Sequence, residues 1–155
     1  MKVTDKITPA GKKFYREMKR LGKKDIFIGF QAGKAKSEDG ADVATIAAYN
    51  ELGTSTTPAR PFLRQTADVN EGKIRAFCRR EIKAVASGNK TTEEALKRIG
   101  VYGVGLVKKQ IRHGDFFPNA PATIRKKKSN KPLIDTGRMR QSVTYIVRGG
   151  KWHRY

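Results

Sequence analysis

The residues that could do chemistry are few and scattered. His113 and His153 stand far apart, without a carboxylate or cysteine at metal-ligand spacing, so neither a zinc site nor a histidine-based nucleophile can be built around them from the sequence. Glu38, Asp39 and Asp42 cluster in one glycine-rich stretch, where a solvated acidic patch is the simpler reading than catalysis or a weak cation site. A basic nuclease would need carboxylates gathered on rigid elements to hold its metal, and no such group is visible. Cys78, the one cysteine, lies among Arg75, Arg79 and Arg80, whose charge would lower its pKa. No histidine is near it in sequence, and a buried structural thiol is the better account. A single cysteine also rules out an internal disulfide and a cysteine-based zinc cluster. Gly103-Val104-Gly105 has the look of a nucleotide loop, but no strand precedes it and neither a third fingerprint glycine nor a Gly-Lys-Ser/Thr follows. These absences make the expectation a non-enzymatic protein with no cofactor and no metal.

Cationic chemistry remains. Thirty-four Lys and Arg against fourteen Asp and Glu give a net charge of +20 over 155 residues. Such an excess repels itself and makes a polyanion the natural neighbour. From Lys108 to Lys131 there are eight basic residues and one acid, for a net +7, with Phe116 and Phe117 beside Asp115. Arg125, Lys126, Lys127 and Lys128 are consecutive, and Arg75, Arg79, Arg80 and Lys83 recur on a helical stretch; both sets are candidates to face DNA phosphates without reading bases. No apolar run approaches the roughly 18 residues of a membrane span, and Met1–Lys13 lacks a signal-peptide core, so a soluble protein made in a cytoplasm is expected, with no membrane partner.

The elements that must carry these residues follow from periodicity. Thr8-Pro9 reads as cap and first turn of a helix with Phe14, Met18 and Leu21 on its apolar side, ended by Gly22. Asp25–Gln31 reads as a strand with Ile26, Ile28 and Phe30 on one face. Residues 32–41 read as a mobile loop, and Asp42 as the cap of a helix running to Gly53. The Gly53–Pro61 segment, with two prolines, reads as a rigid extended connector. A helix from Phe62 to Val85 and another opened by Thr91 or Thr92 with Glu94 follow. In the latter, Leu96, Ile99, Gly100, Gly103, Val104, Val107 and Ile111 line one side. Interior glycines cost about 1 kcal/mol each relative to alanine, so Gly100 and Gly103 imply a close contact, assigned here to the Phe62–Val85 helix. Residues 113–131 read as a loop of about nineteen residues, long enough to be functional or disordered.

The chain closes on Lys131–Val147. Pro132 enforces an extended entry, Leu133 and Ile134 are candidates for burial, Asp135 or Thr136 caps a short helix from Gly137 to Ser142, and Val143–Val147 reads as a strand paired with Asp25–Gln31. The expected fold is therefore α+β: one domain over 1–155, a small antiparallel sheet near 25–31 and 142–148 packed against three to four helices, with long extended loops near 32–41 and 113–131.

The segments Tyr49–Arg64 (YNELGTSTTPARPFLR) and Ala120–Val147 (APATIRKKKSNKPLIDTGRMRQSVTYIV), in this order and with the glycine-bearing helix between them, resemble the tail-completion or neck family of tailed bacteriophages. The resemblance spans roughly two thirds of the chain. Leu52 stands where the family carries an aromatic in its Asn-Glu-aromatic-Gly-Thr run, and Met139 where leucine is usual; the tail Lys151–Tyr155 falls outside the pattern. The resemblance implies a structural virion protein, assembled in the host cytoplasm, that joins a finished tail to the DNA-filled head as a homo-hexameric ring around the DNA channel. Its partners would be copies of itself, a head connector or stopper protein, a tail terminator or tube protein, and packaged double-stranded DNA. On that reading the segments least explained by the chain's own core, Thr54, Pro58, Arg60 and Pro61 with Phe116 and Phe117, are expected at the subunit interface, while Leu133, Asp135, Thr136, Gly137, Gly100 and Gly103 are structural. The alternative is a stand-alone basic nucleic-acid-binding protein, which accounts equally for the charge but not for the two motifs.

Overall fold

A computed structural model describes residues 7–149; His153 and the Lys151–Tyr155 tail lie outside the described residues. Eight elements follow one another: α1 (Pro9–Leu21), β1 (Lys24–Gly29), α2 (Val43–Leu52), α3 (Phe62–Ala86), α4 (Thr92–His113), α5 (Pro121–Lys127), α6 (Arg138–Gln141) and β2 (Thr144–Gly149). The fold is α+β: among the described residues there are six helices and one two-stranded antiparallel sheet. Among the described residues no helix is long and apolar enough to cross a membrane.

The local chemistry expected at the helix starts is present. Thr8 accepts from the Gly11 amide with Pro9 in the first turn. Asp42 accepts from the Ala44 amide to start α2. Thr91 and Glu94 form a reciprocal capping box on α4, each side chain taking an amide of the other's backbone. At α6 the cap differs from expectation: neither Asp135 nor Thr136 caps it, and Gly137, in the left-handed region at φ 80°, occupies the cap position. The chain thus turns into α6 by backbone geometry that glycine adopts without penalty.

The strands come from opposite ends of the chain and pair in antiparallel register, Ile26 opposite Val147 and Ile28 opposite Tyr145. They are shifted by a residue or two from the expected bounds, as strand ends commonly are. α3 and α4 pack along each other, with Phe77 and Tyr102 stacked face to face at 4.1 Å between ring centroids, and α4 also carries the sheet. The core joins Ala47, Phe62, Val107, Ile111, Leu133 and Val143, with Ile28, Phe30, Phe116, Ile134 and Met139 against it.

The glycines of α4 serve this layering, but not as the sequence suggests. A Cβ on Gly100 would lie 2.5 Å from Cγ of Tyr145, and one on Gly103 would overlap Cδ1 of Ile28. Both glycines therefore admit the sheet, not α3, to the helix backbone. Periodicity put them on one face; what covers that face is a tertiary fact.

Residues 113–131 are not one long loop. Pro121 preorganises the first turn of α5, Ile124 is half-buried beneath it, and Arg125, Lys126 and Lys127 sit in the last turn, where cations favour the helix dipole. The 32–41 segment is also tied internally: the Ser37 amide donates to the Ala41 carbonyl at 2.8 Å, the Gly33 amide to Asp42, and the Ser37 hydroxyl to Asp39. The acids Asp39 and Asp42 are thereby used as loop acceptors. Phe14 of α1, expected in its apolar side, is largely exposed, and the buried residue of that helix is Glu17.

Candidate nucleic-acid interface and the Arg60 staple

The first motif is held by its own polar residues. Glu51, at the end of α2, accepts from the Leu63 and Arg64 amides at 2.8 and 3.0 Å. It supplies the acceptor that the start of α3 lacks, since Pro61 there offers no side-chain cap. Gly53 lies at φ 77° with Ala59 N only 2.8 Å from where a Cβ would be, so the motif's glycine is required twice over. The Thr54–Pro61 segment is consequently not extended. The Thr54 amide donates to the Thr57 carbonyl, and Thr54 Oγ1 accepts from the Thr56 and Thr57 amides, folding the segment into a tight turn with Pro58 exposed at its surface.

Arg60, expected at a subunit interface, is 6% exposed and spent inside its own chain. Its Nε donates to the Phe117 carbonyl at 2.8 Å, and its terminal nitrogens donate to the Pro118 carbonyl, to Asn119 Oδ1 and to Asn50 Oδ1. Asn119 then donates from Nδ2 to the Lys131 carbonyl. Two stretches some sixty residues apart in sequence are joined by one planar fork, a task suited to the five fixed donors of a guanidinium. Its recorded acceptors are neutral oxygens, and burial pushes its pKa down from the ordinary arginine value.

The same network divides the expected interface residues and the expected DNA-facing residues. Phe116 turns inward, onto Gly114 and the core, whereas Phe117 is 61% exposed. Lys127 is half-buried and donates to the Lys131 and Pro132 carbonyls; burial lowers its pKa and the neighbouring Arg60 lowers it further, against the opposing attraction of Asp135. It closes the turn instead of facing outward. Arg125, Lys126 and Lys128 are exposed, and Lys126 lies close enough to Asp39 to help hold that carboxyl below its usual range, after the Ser37 hydroxyl and the Ala41 amide. Lys128, at φ 51°, ends α5 in a left-handed turn. Leu133 is buried in the core; Asp135 and Thr136 are exposed.

The second cationic set lies on a different element, α3. Arg75, Arg79 and Lys83 are exposed at four-residue spacing along α3, one above another on one face. Arg75 pairs with Glu71, and Arg80 lies 4.6 Å over the Phe77 ring. At about 1.5 Å per residue, Arg79 lies about 25 Å along α3 from Phe62, the helix start beside Arg60. α5 is not among the elements packed along α3, so Arg75–Lys83 and Arg125–Lys128 lie on elements that the fold does not press together. Cys78 between these cations is half-buried, and burial pushes its thiol pKa up, consistent with a packing role.

Two buried carboxylates were not visible from the sequence. Glu81 is 0% exposed on α3 and is met by Lys90, by Arg98 Nε at 3.1 Å and by an Arg80 nitrogen at 3.5 Å. The Lys90 hydrogen bond, then that of Arg98, holds its pKa below the ordinary value against the opposing effect of burial. Glu17 of α1 accepts from the Thr92 amide at 2.9 Å while Thr92 Oγ1 donates to the Glu17 carbonyl, joining α1 to the start of α4. A clue existed in each case: Glu81 falls on the apolar side of α3 with Phe77, Cys78 and Val85, and Glu17 neighbours Met18 on α1.

No family model, curated protein or solved structure matches the chain.

Proposed function

We propose that this chain is a non-enzymatic structural subunit of the neck of a tailed bacteriophage, completing the tail and joining it to the DNA-filled head as a ring, hexameric by the family resemblance, around the DNA channel. The observation that carries the reading is the convergence of the two resembling segments: Arg60 of the first, itself bonded to Asn50, donates to Asn119, one residue before the second begins, and Asn119 reaches on to Lys131. Motifs that serve one architecture are expected to meet in space, and these meet through hydrogen bonds supplied by their own residues or by the residue beside them. The +20 charge supports a polyanionic partner, packaged double-stranded DNA, held by its phosphates. The head connector or stopper and the tail terminator or tube protein are the protein neighbours the reading implies.

Arg125, Lys126 and Lys128 are the strongest candidates to face the DNA, with Arg75, Arg79 and Lys83 as a second surface; Lys127 is withdrawn from this role by its internal bonds. The test is an image of assembled particles together with charge reversal at Arg125, Lys126 and Lys128. Copies of the chain at the collar, and particles that lose DNA retention or joining on charge reversal, are expected. A stand-alone nucleic-acid-binding protein would instead be absent from the collar and would bind DNA or RNA as a monomer or dimer with a steep salt slope.

A further inference from the structure

In a chain of which 31% is charged, Val43–Ala59 carries one charge, Glu51, and Phe116–Ile124 carries none. Glu51 is committed to the amides of α3. What these stretches show to solvent is uncharged: Thr45, Ala48, Tyr49 and Leu52 on the outer side of α2, Pro58 on the turn after it, and Phe117 beyond. Tyr49 is 58% exposed and Leu52 72%. The inner side of α2 is apolar as well, with Val43 and Ala47 buried, so the helix is apolar nearly all round, a pattern of helices covered on both sides. Arg60 holds the two neutral stretches side by side by bonding Asn50 of one and Phe117, Pro118 and Asn119 of the other.

We infer that this neutral face, anchored by Tyr49, Leu52 and Phe117, is where a second copy of the chain docks. The charge pattern selects that occupant. Two copies at +20 repel wherever their basic surfaces meet, and a contact between them is favoured where neither side presents a cation. An acidic protein or a nucleic acid would be gripped by the lysines and arginines found elsewhere, and these stretches offer neither one. The ring of the proposed function would use this contact, and the inference rests on that reading only for the way the assembly closes. Arg60 acts in it as a positioning residue, since it is buried and fixes Phe117 relative to α2.

The test is sedimentation velocity of the full chain over a range of concentration and salt, with Tyr49→Lys and Leu52→Lys as variants and DNA retardation as a check on fold and basic surface. Self-association of the native chain is expected to strengthen as salt screens the net charge. Each lysine is expected to weaken it by roughly tenfold or more, because it places an unpaired charge in a desolvated contact, with DNA binding unchanged. A native chain that stays monomeric throughout, variants that associate as well as the native chain, or association that weakens with salt would each overturn the inference; the last would show that ion pairs between copies, and not this neutral face, carry the contact. The two readings fail separately. Self-association through this face by a chain absent from the particle collar defeats only the neck reading, and collar copies that meet elsewhere defeat only this one.

Discussion

Replacing single glycines of α4 by alanine should sort them by what lies opposite. Each Gly→Ala change in a helix interior contributes about 0.8–1.0 kcal/mol of stability through propensity alone. At Gly105 nothing lies within 4 Å of the new Cβ, so Gly105→Ala should deliver most of that gain. At Gly103 the obstacle is Cδ1 of Ile28, the far end of a flexible side chain, which can rotate aside at a cost comparable to the gain; Gly103→Ala should come out near neutral. At Gly100 the new methyl meets the Tyr145 ring at Cγ, close to the β2 backbone, and also at Cε2, 2.7 Å away, so ring and strand must shift together. Overpacking of this kind costs about 1–3 kcal/mol, leaving Gly100→Ala less stable than the native chain by up to about 2 kcal/mol. The difference between Gly105→Ala and Gly100→Ala should therefore be about 1–3 kcal/mol, read from urea unfolding at constant m-value. In thermal melts it should appear as about 2–12 °C for a chain of this size. Gly100→Ala matching or exceeding Gly105→Ala would refute the packing of the sheet against the α4 backbone.

Two further outcomes follow from the buried charges. Glu81 has its folded-state pKa lowered, so the stability it contributes is fully present above its unfolded value, near 4.5, and is lost as pH falls through the lower folded value; Glu81→Gln should flatten the acid limb of stability below that pH, and an unchanged acid limb would remove Glu81 from the account. Arg60→Ala should cost about 3 kcal/mol or more by stranding the carbonyls of Phe117 and Pro118 and the side chain of Asn119, and Arg60→Lys should recover little, because an ammonium cannot span the same acceptors. Limited proteolysis between Phe116 and Lys131 checks this: cleavage in both variants should be much faster than in the native chain.

Elements with a strong local signature were legible in the sequence. The four long helices follow from apolar spacing, their starts from Thr8-Pro9, Asp42 and the Thr91–Glu94 box, and the pairing of the strands from their β-branched and aromatic content. Orientation was not legible. Gly100 and Gly103 announce a close approach without saying whose, and α5 is hidden because seven residues between prolines and lysines carry too little periodicity to tell from loop. Reading charge as solvated conceals Glu17 and Glu81, which are inside because each has partners from a distant segment. Arg60 misleads for the same reason: two of its four acceptors are backbone carbonyls, groups that every residue carries and no sequence pattern marks. Of the candidate sites, Arg125, Lys126, Lys128, Arg75, Arg79 and Lys83 are exposed, whereas Arg60 is buried and Lys127 and Phe116 are half-buried against the chain's own residues.

Because β1 and β2 lie near opposite ends of the described chain and Tyr145 fills the hollow left by Gly100, a nascent chain still on the ribosome holds α4 with an uncovered groove until β2 has emerged. Such distant pairing closes late and slowly. The fold is thus completed only once β2 has been made, and agents that shield exposed apolar surface, such as chaperones, should raise its yield more than they would for a helical bundle of equal length.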